Sequence, residues 1–495
     1  MTTPADDDVS LTKAPVEEND RGFFGQPFAL ANLFGVEMWE RFSFYGMQGI
    51  LLYYLYYSVT EGGLDIDRAT ATSIVGAYGG TVYLSTIIGG WIADRVLGSE
   101  RTLFYSAVLI MFGHIALAVL PGVVGVGVGL VLVAVGSGGL KANATSMVGE
   151  LYSEHDERRD AGFSIFYMGI NIGGFVGPLL TGVAQDKIGF HAGFGLAAIG
   201  MALGLTQYTV FRRHLHGVGA TAPNPLPPAE RPRWIAVAVG GLILIAVLSI
   251  TGVITAASLS DIVVGVTIVA AVVYFAVMLS SKRITAVERS RVISFIPMFI
   301  ASAAFWSLFQ QQFTMIAEYA DKRLNRDVFG WEFPAAWVQS INPVFIIIFA
   351  GIFAAMWTKL GSRQPTTPLK FAAANAVMGV AFLCFIPISG GGPNSAPVIA
   401  LAGILLLFTF AELLLSPVGL SLATKLAPKV FHTQMVALFF LSVALGSAMA
   451  GTLAGYYDEA NEKPYFIAIG GASIAVGVVV AVLSPWIKKM MAGVR

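Results

Sequence analysis

The chain has 495 residues, of which 56% are hydrophobic and only 12% are charged, and its formal net charge is zero. Because a soluble protein carries about 25% charged residues, this composition excludes a water-soluble fold. The balanced charge also gives no indication of a nucleic-acid partner. The apolar residues form continuous blocks of roughly 20, the length of a membrane-spanning helix, without the alternation typical of transmembrane strands. The sequence therefore predicts an all-α polytopic membrane protein.

The chain begins with a polar, acidic segment, residues 1–28, that lacks the basic start and short apolar core of a signal peptide. We interpret it as a disordered cytoplasmic tail, and residues 491–495 as a second, short cytoplasmic tail. Cys384 is the only cysteine and lies in an apolar block, so an intramolecular disulfide is excluded.

Fourteen apolar blocks follow, separated by polar, Gly-rich or Pro-rich stretches. An N-terminal six-helix bundle, residues 29–213, has spans near 29–57, 70–94, 102–120, 123–150, 161–185 and 192–212. Residues 214–233 are rich in Pro and Arg and predict a linker. Two uniformly apolar spans, near 234–257 and 261–280, predict an accessory transmembrane hairpin over residues 234–281. A C-terminal six-helix bundle, residues 282–490, has spans near 292–318, 334–358, 368–388, 396–426, 431–457 and 465–487.

Two features of the loops support this plan. Lys and Arg accumulate in short cytoplasmic loops, and the loops on the side of the termini hold most of these residues. Both termini are therefore predicted to be cytoplasmic. The tripeptide Leu-Gly-Ser after the second span, residues 97–99, recurs at 360–362 after the second span of the other bundle. This weak repeat agrees with two parallel halves, a known arrangement in transporters.

The first span contains three charged residues, Glu37, Glu40 and Arg41, in an otherwise apolar block. Helical spacing places them on one face, and Tyr45 and Gln48 continue that face. A charge at mid-membrane costs roughly 2.5–3.5 kcal/mol on insertion scales, so such groups normally face a wet cavity or one another. One alternative is a purely structural salt bridge between Glu37 and Arg41, but it leaves Glu40 without a charged partner.

Two further charges, Lys141 and Glu412, lie in the fourth span of each half. If the halves are related by a two-fold axis, both face one central cavity and are natural ion-pair partners; a structural ion pair that locks two helices is the alternative. The five groups together, three carboxylates and two cations, carry a net charge of minus one. We therefore expect the cavity to take up one proton per cycle on the carboxylate that is least well paired.

These residues match motifs of a known family. The first span resembles the Glu-x-x-Glu-Arg-Phe-x-Tyr-Tyr signature of the proton-dependent oligopeptide transporters, the POT or PTR family within the major facilitator superfamily. The match comprises Glu37, Glu40, Arg41, Phe42 and Tyr45, with Phe44 in place of a tyrosine. Residues 90–98, with Asp94 and Arg95, look like the superfamily's cytoplasmic loop motif, and residues 166–174 are similar to the family's fifth-helix motif.

The resemblance covers nearly the whole chain, including a hairpin similar to that of bacterial members. It implies 12 core transmembrane helices in two six-helix halves plus a two-helix insertion, 14 in total. It also implies import of di- and tripeptides with protons by alternating access. Carried over by position, the substrate-binding residues would be Arg41, Tyr45, Tyr83, Lys141, Asn171, Asn342, Glu412 and Phe439. The residues of proton coupling would be Glu37, Glu40, Lys141 and Glu412. Asp94 and Arg95 would form a conformational latch.

The chain departs from the family at two positions together. Gln48 stands where the family usually has Arg, and Gln310 where it has an acidic residue. Loss of the two opposite charges leaves the net charge of the cavity unchanged. We expect a hydrogen bond between these two glutamines to close the outer side as a gate.

Other charged or titratable residues receive simpler interpretations. Glu150 and Glu318 are expected to be helix-end surface charges, and His114 a packed or hydrogen-bonded histidine and not a proton relay. The sequence has no metal-ligand cluster, nucleotide loop or nucleophile motif, so we predict neither an enzyme nor a cofactor.

The resulting expectation is a transporter of the inner cell membrane that is embedded in lipid and works as a monomer, with the proton gradient as its energy source. The alternatives are the same fold carrying another small solute, such as nitrate or a peptide-like drug, and a non-transporting membrane receptor.

Overall fold

The computed structural model describes residues 20–153 and 156–494. The predicted N-terminal tail therefore lies mainly outside the described residues, as does Arg495 at the end of the C-terminal tail. Within the described ranges the chain is almost entirely helical, as the apolar blocks predict. The helices of the N-terminal half are α1 (Phe28–Tyr56), α2 (Arg68–Ile92), α3 (Ser99–Val119), α4 (Gly122–Glu150), α5 (Arg159–Lys187) and α6 (Phe190–Phe211).

The hairpin and the C-terminal half complete the set. The hairpin helices are α7 (Arg231–Ile250) and α8 (Leu259–Ser280). The remaining helices are α9 (Ala286–Phe309), α10 (Met315–Lys322), α11 (Ile341–Leu360), α12 (Thr367–Leu383), α13 (Val398–Leu426), α14 (His432–Ala454) and α15 (Glu462–Met490). Four two-residue strands, β1 (Leu324–Asn325), β2 (Asp327–Val328), β3 (Trp331–Glu332) and β4 (Ala396–Pro397), pair as β1 with β4 and β2 with β3.

Thirteen helical segments of the described chain are long and apolar enough to cross a membrane. Helix α1, with 29 residues, is also long enough. It does not belong to those thirteen because Glu37, Glu40 and Arg41 lower its mean hydropathy. The prediction of 14 spans is thus confirmed. The span that a hydropathy criterion alone misses is α1, because of its three charged residues. Because the number of spans is even, the start of α1 and the end of α15 lie at one end of the bundle, called here the terminal end.

The seventh core span is not the continuous helix that its apolar block predicts. Helix α9 ends at Phe309 and is followed by a 3₁₀ turn, Gln310–Phe313. Thr314 then has φ −123° and ψ −99°, outside the helical region, before α10 begins. The predicted span 292–318 therefore consists of two helices joined by a break.

The core has two parts that follow the two halves. One cluster of buried apolar residues comes mainly from α1–α6, and the other from α8–α15. Helices α2 and α14 join the halves by close backbone approach: a Cβ atom added to Gly76 would lie 2.5 Å from the Cα atom of Gly451. The glycines of the repeated Leu-Gly-Ser tripeptides, Gly98 and Gly361, both have positive φ, 84° and 49°. Their ψ angles differ, 158° and −120°, so the two tripeptides do not share one conformation. Glycine adopts this region at no steric cost.

The linker, residues 214–233, packs on the loop between α2 and α3. The backbone N–H groups of Asn224 and Leu226 donate to the carbonyl oxygens of Asp94 and Arg95 at 3.0 and 2.7 Å. These two residues lie in a π-helical turn, Ala93–Leu97, that follows α2. The last carbonyl groups of a helix have no partner within the helix, and here the linker binds two of them.

Candidate functional site

A cavity of about 270 Å³ lies between the two halves. Its walls come from α1, α2, α4 and α5 on one side and from α9, α11, α13 and α14 on the other, including the turn after α9. It brings together every residue to which the family resemblance gives a substrate-binding or gate role: Arg41, Tyr45, Gln48, Tyr83, Lys141, Asn171, Gln310, Asn342, Glu412 and Phe439. Their roles stay predictions, but their common location is a property of the fold.

The charged cluster of α1 is held together by one guanidinium. The Nε atom of Arg41 donates to Glu37 Oε1 at 2.8 Å and lies 3.0 Å from Glu40 Oε2. All three side chains are almost completely buried. Ser137 of α4 donates its hydroxyl to the other oxygen of Glu40 at 2.9 Å. Glu40, which the spacing left without a partner, is therefore held by both Arg41 and Ser137.

Arg41 also keeps one donor free of protein partners. Its Nη2 atom is buried and makes no hydrogen bond to the described residues, while the side chain lines the cavity. A buried unpaired donor is costly. A group that accepted this hydrogen bond inside the cavity would remove that cost.

Lys141 and Glu412 line the cavity from opposite halves but do not pair with each other. The Nζ atom of Lys141 donates to the Tyr83 hydroxyl at 3.0 Å and lies 4.3 Å from the centre of the Tyr83 ring. Glu412 accepts a hydrogen bond of 3.3 Å from Asn342. Asn342 also donates to the Thr409 hydroxyl at 3.1 Å. The predicted ion pair is therefore wrong for this conformation, because each charge has a nearer neutral partner on its own side.

Neighbouring side chains and glycines position three other lining residues. The Nδ2 atom of Asn171 donates to the carbonyl of Tyr167 one turn earlier at 2.9 Å. The ring of Tyr45 stacks on Phe313 of the opposite half with centroids 6.1 Å apart. Phe439 packs over Gly419, where a Cβ atom would lie 2.5 Å from its ring. The sequence did not identify Phe313, although its position beside the run of three glutamines was a usable signal.

The expected gate between Gln48 and Gln310 is not formed. Both side chains line the cavity, but the hydrogen bonds of the described residues include none between them. Gln48 Oε1 is buried without a partner. The prediction of a glutamine–glutamine hydrogen bond is thus wrong here. Gln310 lies in the 3₁₀ turn that breaks the span, so its backbone does not continue along the α9 axis.

Hydrogen bonds join the halves at the end of the bundle opposite the termini. The hydroxyls of Tyr56 and Tyr57 donate to the carboxylate of Asp321 at 2.5 and 2.6 Å. Arg68 Nη1 donates to Glu318 Oε2 at 3.1 Å, and Arg68 also donates to the carbonyls of Ala454, at the end of α14, and of Tyr457. We call these five residues, Tyr56, Tyr57, Arg68, Glu318 and Asp321, the outer clamp.

The outer clamp was not predicted, and it corrects one interpretation. Glu318 is not a surface charge: its side chain is 2% exposed and pairs with Arg68, which is 31% exposed. Glu150 is exposed, as expected for a helix end. His114 is buried, with neither ring nitrogen bonded to a described residue, so it is a packed histidine. Arg68 precedes the second predicted span, and only the fold places it, as the first residue of α2, against Glu318.

Nothing within residues 20–153 and 156–494 gathers three or more possible metal ligands of the His, Cys, Asp and Glu types. The loop motif has a structural setting instead. Arg95 Nη2 lies 3.7 Å from Glu230 of the linker, and the Asp94 side chain is exposed. Both residues stand in the π turn on which the linker docks.

Known proteins are similar to this chain over almost its whole length. The POT family profile matches residues 100–473. The chain is 45% identical over 481 residues to the uncharacterized transporter YclF of Bacillus subtilis, covering 96% of this chain and 97% of that one. It is 39% identical over 496 residues to a di-/tripeptide transporter of Lactococcus lactis subsp. cremoris, covering 97% and 99%.

A solved structure gives the same result for the fold. A glutamate-to-glutamine mutant of the peptide transporter POT, in complex with alafosfalin, matches with a TM-score of 0.91 and 48% identity. The match covers 96% of this chain and 98% of that one. It confirms the helical membrane fold that the apolar blocks predict.

Proposed function

The chain belongs to the POT family of multi-pass membrane transporters, and on this premise we propose that it imports di- and tripeptides together with protons by alternating access. One observation carries the proposal: two cations, Arg41 and Lys141, and one carboxylate, Glu412, line a single cavity between the two halves. A short peptide of any sequence offers a carboxylate, an ammonium group and amides. Such a cavity recognises what all these substrates share and leaves their side chains free to vary.

The assigned substrate contacts follow from charge and hydrogen-bonding capacity. Arg41 has an unpaired Nη2 donor, and the ammonium of Lys141 has further donors besides the one given to Tyr83. We assign the peptide carboxylate to these two cations and the peptide ammonium to Glu412. Amide groups of Asn171 and Asn342 and the Tyr83 hydroxyl are assigned to the peptide backbone, and the rings of Tyr45 and Phe439 to side-chain pockets.

Proton coupling is assigned from the pairing of the carboxylates. Glu37 and Glu40 both contact Arg41, and Glu40 also accepts from Ser137. Glu412 accepts a hydrogen bond only from an uncharged amide in the described part of the chain. The net charge of minus one leaves one carboxylate without a cation, and we assign Glu412 as that group because its hydrogen bond comes from an amide. We place the transported proton there when the peptide is absent, with Glu37, Glu40 and Lys141 completing the coupled set.

Location and operation follow from the same proposal. We place the protein in the inner cell membrane with both termini in the cytoplasm, working as a monomer, surrounded by lipid, without a cofactor and driven by the proton gradient. The outer clamp then faces the exterior, so this conformation is closed to the outside. Opening toward the exterior requires Arg68 and Asp321 to release their partners on the other half.

A second candidate substrate class has support from one relative. The peptide transporter POT was solved in complex with alafosfalin. We therefore include other small molecules with the charged termini of a peptide as candidate substrates. A nitrate carrier is less well supported, since nitrate has no cationic group for the cavity residue Glu412 to bind.

The test is uptake of a labelled dipeptide by the purified full-length protein in proteoliposomes. An inward proton gradient is expected to drive accumulation above the outside concentration, and an uncoupler is expected to abolish it. The variant Glu412→Gln is expected to lose driven accumulation but to keep exchange of labelled for unlabelled dipeptide, because the amide keeps the hydrogen-bonding shape without titrating.

Three results separate the parts of this proposal. Uptake that does not depend on the proton gradient at any external pH would contradict proton coupling but not peptide transport. Absence of any dipeptide uptake or exchange would remove the substrate class. Full driven uptake by Glu412→Gln would move the proton to another carboxylate, and Glu37→Gln and Glu40→Gln are the variants to compare.

A further inference from the structure

Helix α7 stands away from the rest of the bundle. None of its 20 residues is buried, whereas α8 packs against α2 and α14. Between α7 and α2 lies a groove of about 860 Å³. The two walls approach each other where the rings of Trp91 and Trp234 lie with centroids 4.8 Å apart.

The walls of the groove are apolar along the membrane-spanning part. Ile87 and Ile88 line it from α2, and Ile235 and Ala238 from α7. Ile88 is 59% exposed and Ile235 63% exposed. At this depth the surrounding solvent is hydrocarbon, and a polar molecule would gain no partners from these side chains. The chemistry of the walls therefore fits an acyl chain.

The end of the groove at the terminal end of the bundle is basic. Arg95 and Arg231 line it there, together with the docked linker residues Pro225 and Leu226. Two acidic residues are near: Glu230 lies 3.7 Å from Arg95 and is 48% exposed, and Asp94, next to Arg95 in the chain, is also exposed. Neither carboxylate lines the groove. Two guanidinium groups at the membrane surface, beside tryptophans, suit an anionic headgroup.

We propose that this groove is a binding site for an anionic phospholipid of the leaflet at the terminal end. One acyl chain lies between α2 and α7, and the phosphate is bound by Arg95 and Arg231. Glu230 turns away from Arg95 when the phosphate arrives, because its carboxylate is exposed and only loosely paired. The site is separate from the cavity between the halves and shares no residue with it.

The location gives such a lipid a structural consequence. At the opposite end the hairpin already holds both halves: Ser260 hydrogen-bonds Ser73 of α2 at 3.2 Å and Thr452 of α14 at 3.0 Å. At the terminal end α7 contacts α2 chiefly through the tryptophan pair. A bound lipid fills the space between them and fixes α7 against the N-terminal half.

The test is native mass spectrometry of the purified full-length protein in neutral detergent with added phosphatidylglycerol or phosphatidylcholine. Retained phosphatidylglycerol adducts, in excess of phosphatidylcholine, are expected. Arg231→Gln is expected to weaken phosphatidylglycerol binding roughly fivefold, the factor for one basic residue at an anionic membrane surface. Its control is Arg233→Gln, two residues away, exposed and not lining the groove. Ala238→Trp, which fills the groove, is expected to abolish the adducts, and its control is Ala236→Trp.

Melting curves in the same detergent show whether each variant is folded. Equal adducts in all four variants and the parent protein would overturn the proposal. Equal retention of phosphatidylcholine would overturn the role of the arginines. Inorganic phosphate that raises the melting temperature as much as phosphatidylglycerol would identify a free-anion site instead. A dimer that disappears only in Ala238→Trp would show that a second copy of the chain fills the groove.

Discussion

Lys141 and Glu412 face one cavity from opposite halves of the bundle, and each is bound to a neutral partner on its own side. Lys141 donates to Tyr83 at 3.0 Å, while Glu412 accepts from Asn342 at 3.3 Å. Opposite charges that share a cavity without pairing are available to the opposite charges of a zwitterion. The arrangement agrees with binding of the two peptide termini better than with a structural lock between helices.

The first prediction concerns the energetic independence of these two residues. Lys141→Gln and Glu412→Gln share no hydrogen-bond partner, so their effects should add within about 0.5 kcal/mol. In melting curves of the substrate-free protein, the shift of the double variant should equal the sum of the single shifts. The comparison pair is Arg68→Gln with Glu318→Gln, which contact each other at 3.1 Å and should not add. Strong coupling between positions 141 and 412 would indicate that the ion pair dominates in solution.

Much of the fold could be predicted because a bilayer leaves few choices. A helix is the one structure that satisfies the backbone of an isolated apolar block, so most block boundaries give helix boundaries to within about three residues. The boundary predictions were wrong where α7 ends at Ile250 and not at 257, where α9 begins at Ala286 and not at 292, where α11 begins at Ile341 after a 3₁₀ turn and not at 334, and where α12 ends at Leu383 and not at 388. The grouping of Arg41, Lys141 and Glu412 could also be anticipated, since buried charges must share a polar cavity. Their placement in one cavity needed only helix periodicity and the resemblance between halves.

Other features depend on side-chain choices that the sequence does not encode locally. The break after Phe309 has no glycine or proline to announce it. Instead, the carbonyl of Gln312 accepts a hydrogen bond from Gln339, a residue that lies far away in the sequence. The partner of Lys141 was missed for a similar reason: a long, flexible side chain can reach several acceptors, and the nearest is a hydroxyl of α2. The local sequence pattern predicts where a helix lies, but tertiary contacts decide which hydrogen-bond partner a side chain such as Lys141 has.

The second prediction addresses the outer clamp. Arg68→Gln would leave the carboxylate of Glu318, 2% exposed, without its charged partner. An unsatisfied buried acceptor costs about 1–3 kcal/mol, which should shift the population toward states open at that end. Spin labels at the outer ends of α1 and α10 should report longer distances by pulsed electron resonance. Lys463→Gln, an exposed residue at the same end, is the control. Unchanged distances in Arg68→Gln would show that the clamp does not hold the halves together.

The third prediction tests the contact between α2 and α14. A Cβ atom on Gly76 would lie 2.5 Å from Gly451 Cα, which is backbone and cannot move aside cheaply. Gly76→Ala should therefore prevent α2 and α14 from closing against each other. We expect this variant to fold but to show less driven uptake and less exchange. Gly403→Ala is the matched control, since a Cβ atom there would meet nothing within 4 Å. Equal transport by the two variants would mean that α2 and α14 can separate without loss of function.

The fourth prediction concerns the two glutamines that replace the family's charged pair. Gln48→Arg alone adds a cation to a cavity that already contains Arg41 and Lys141, and Gln310→Glu alone adds an anion without a designated partner. Each single change should cost roughly 2.5–3.5 kcal/mol of insertion free energy, since each places one new charge at membrane depth. The double variant restores both charges, and the two side chains can then neutralise each other across the same cavity.

The measurement is driven dipeptide uptake by the two single variants and the double variant, each corrected for the amount of folded protein. The double variant should keep more uptake than either single variant, even though Gln48 and Gln310 do not hydrogen-bond each other in this conformation. Arginine and glutamate have longer reach and opposite charge, so they can pair where two amides do not. If all three variants lost uptake equally, the two positions would act independently, and the paired departure from the family pattern would have no common cause in a gate.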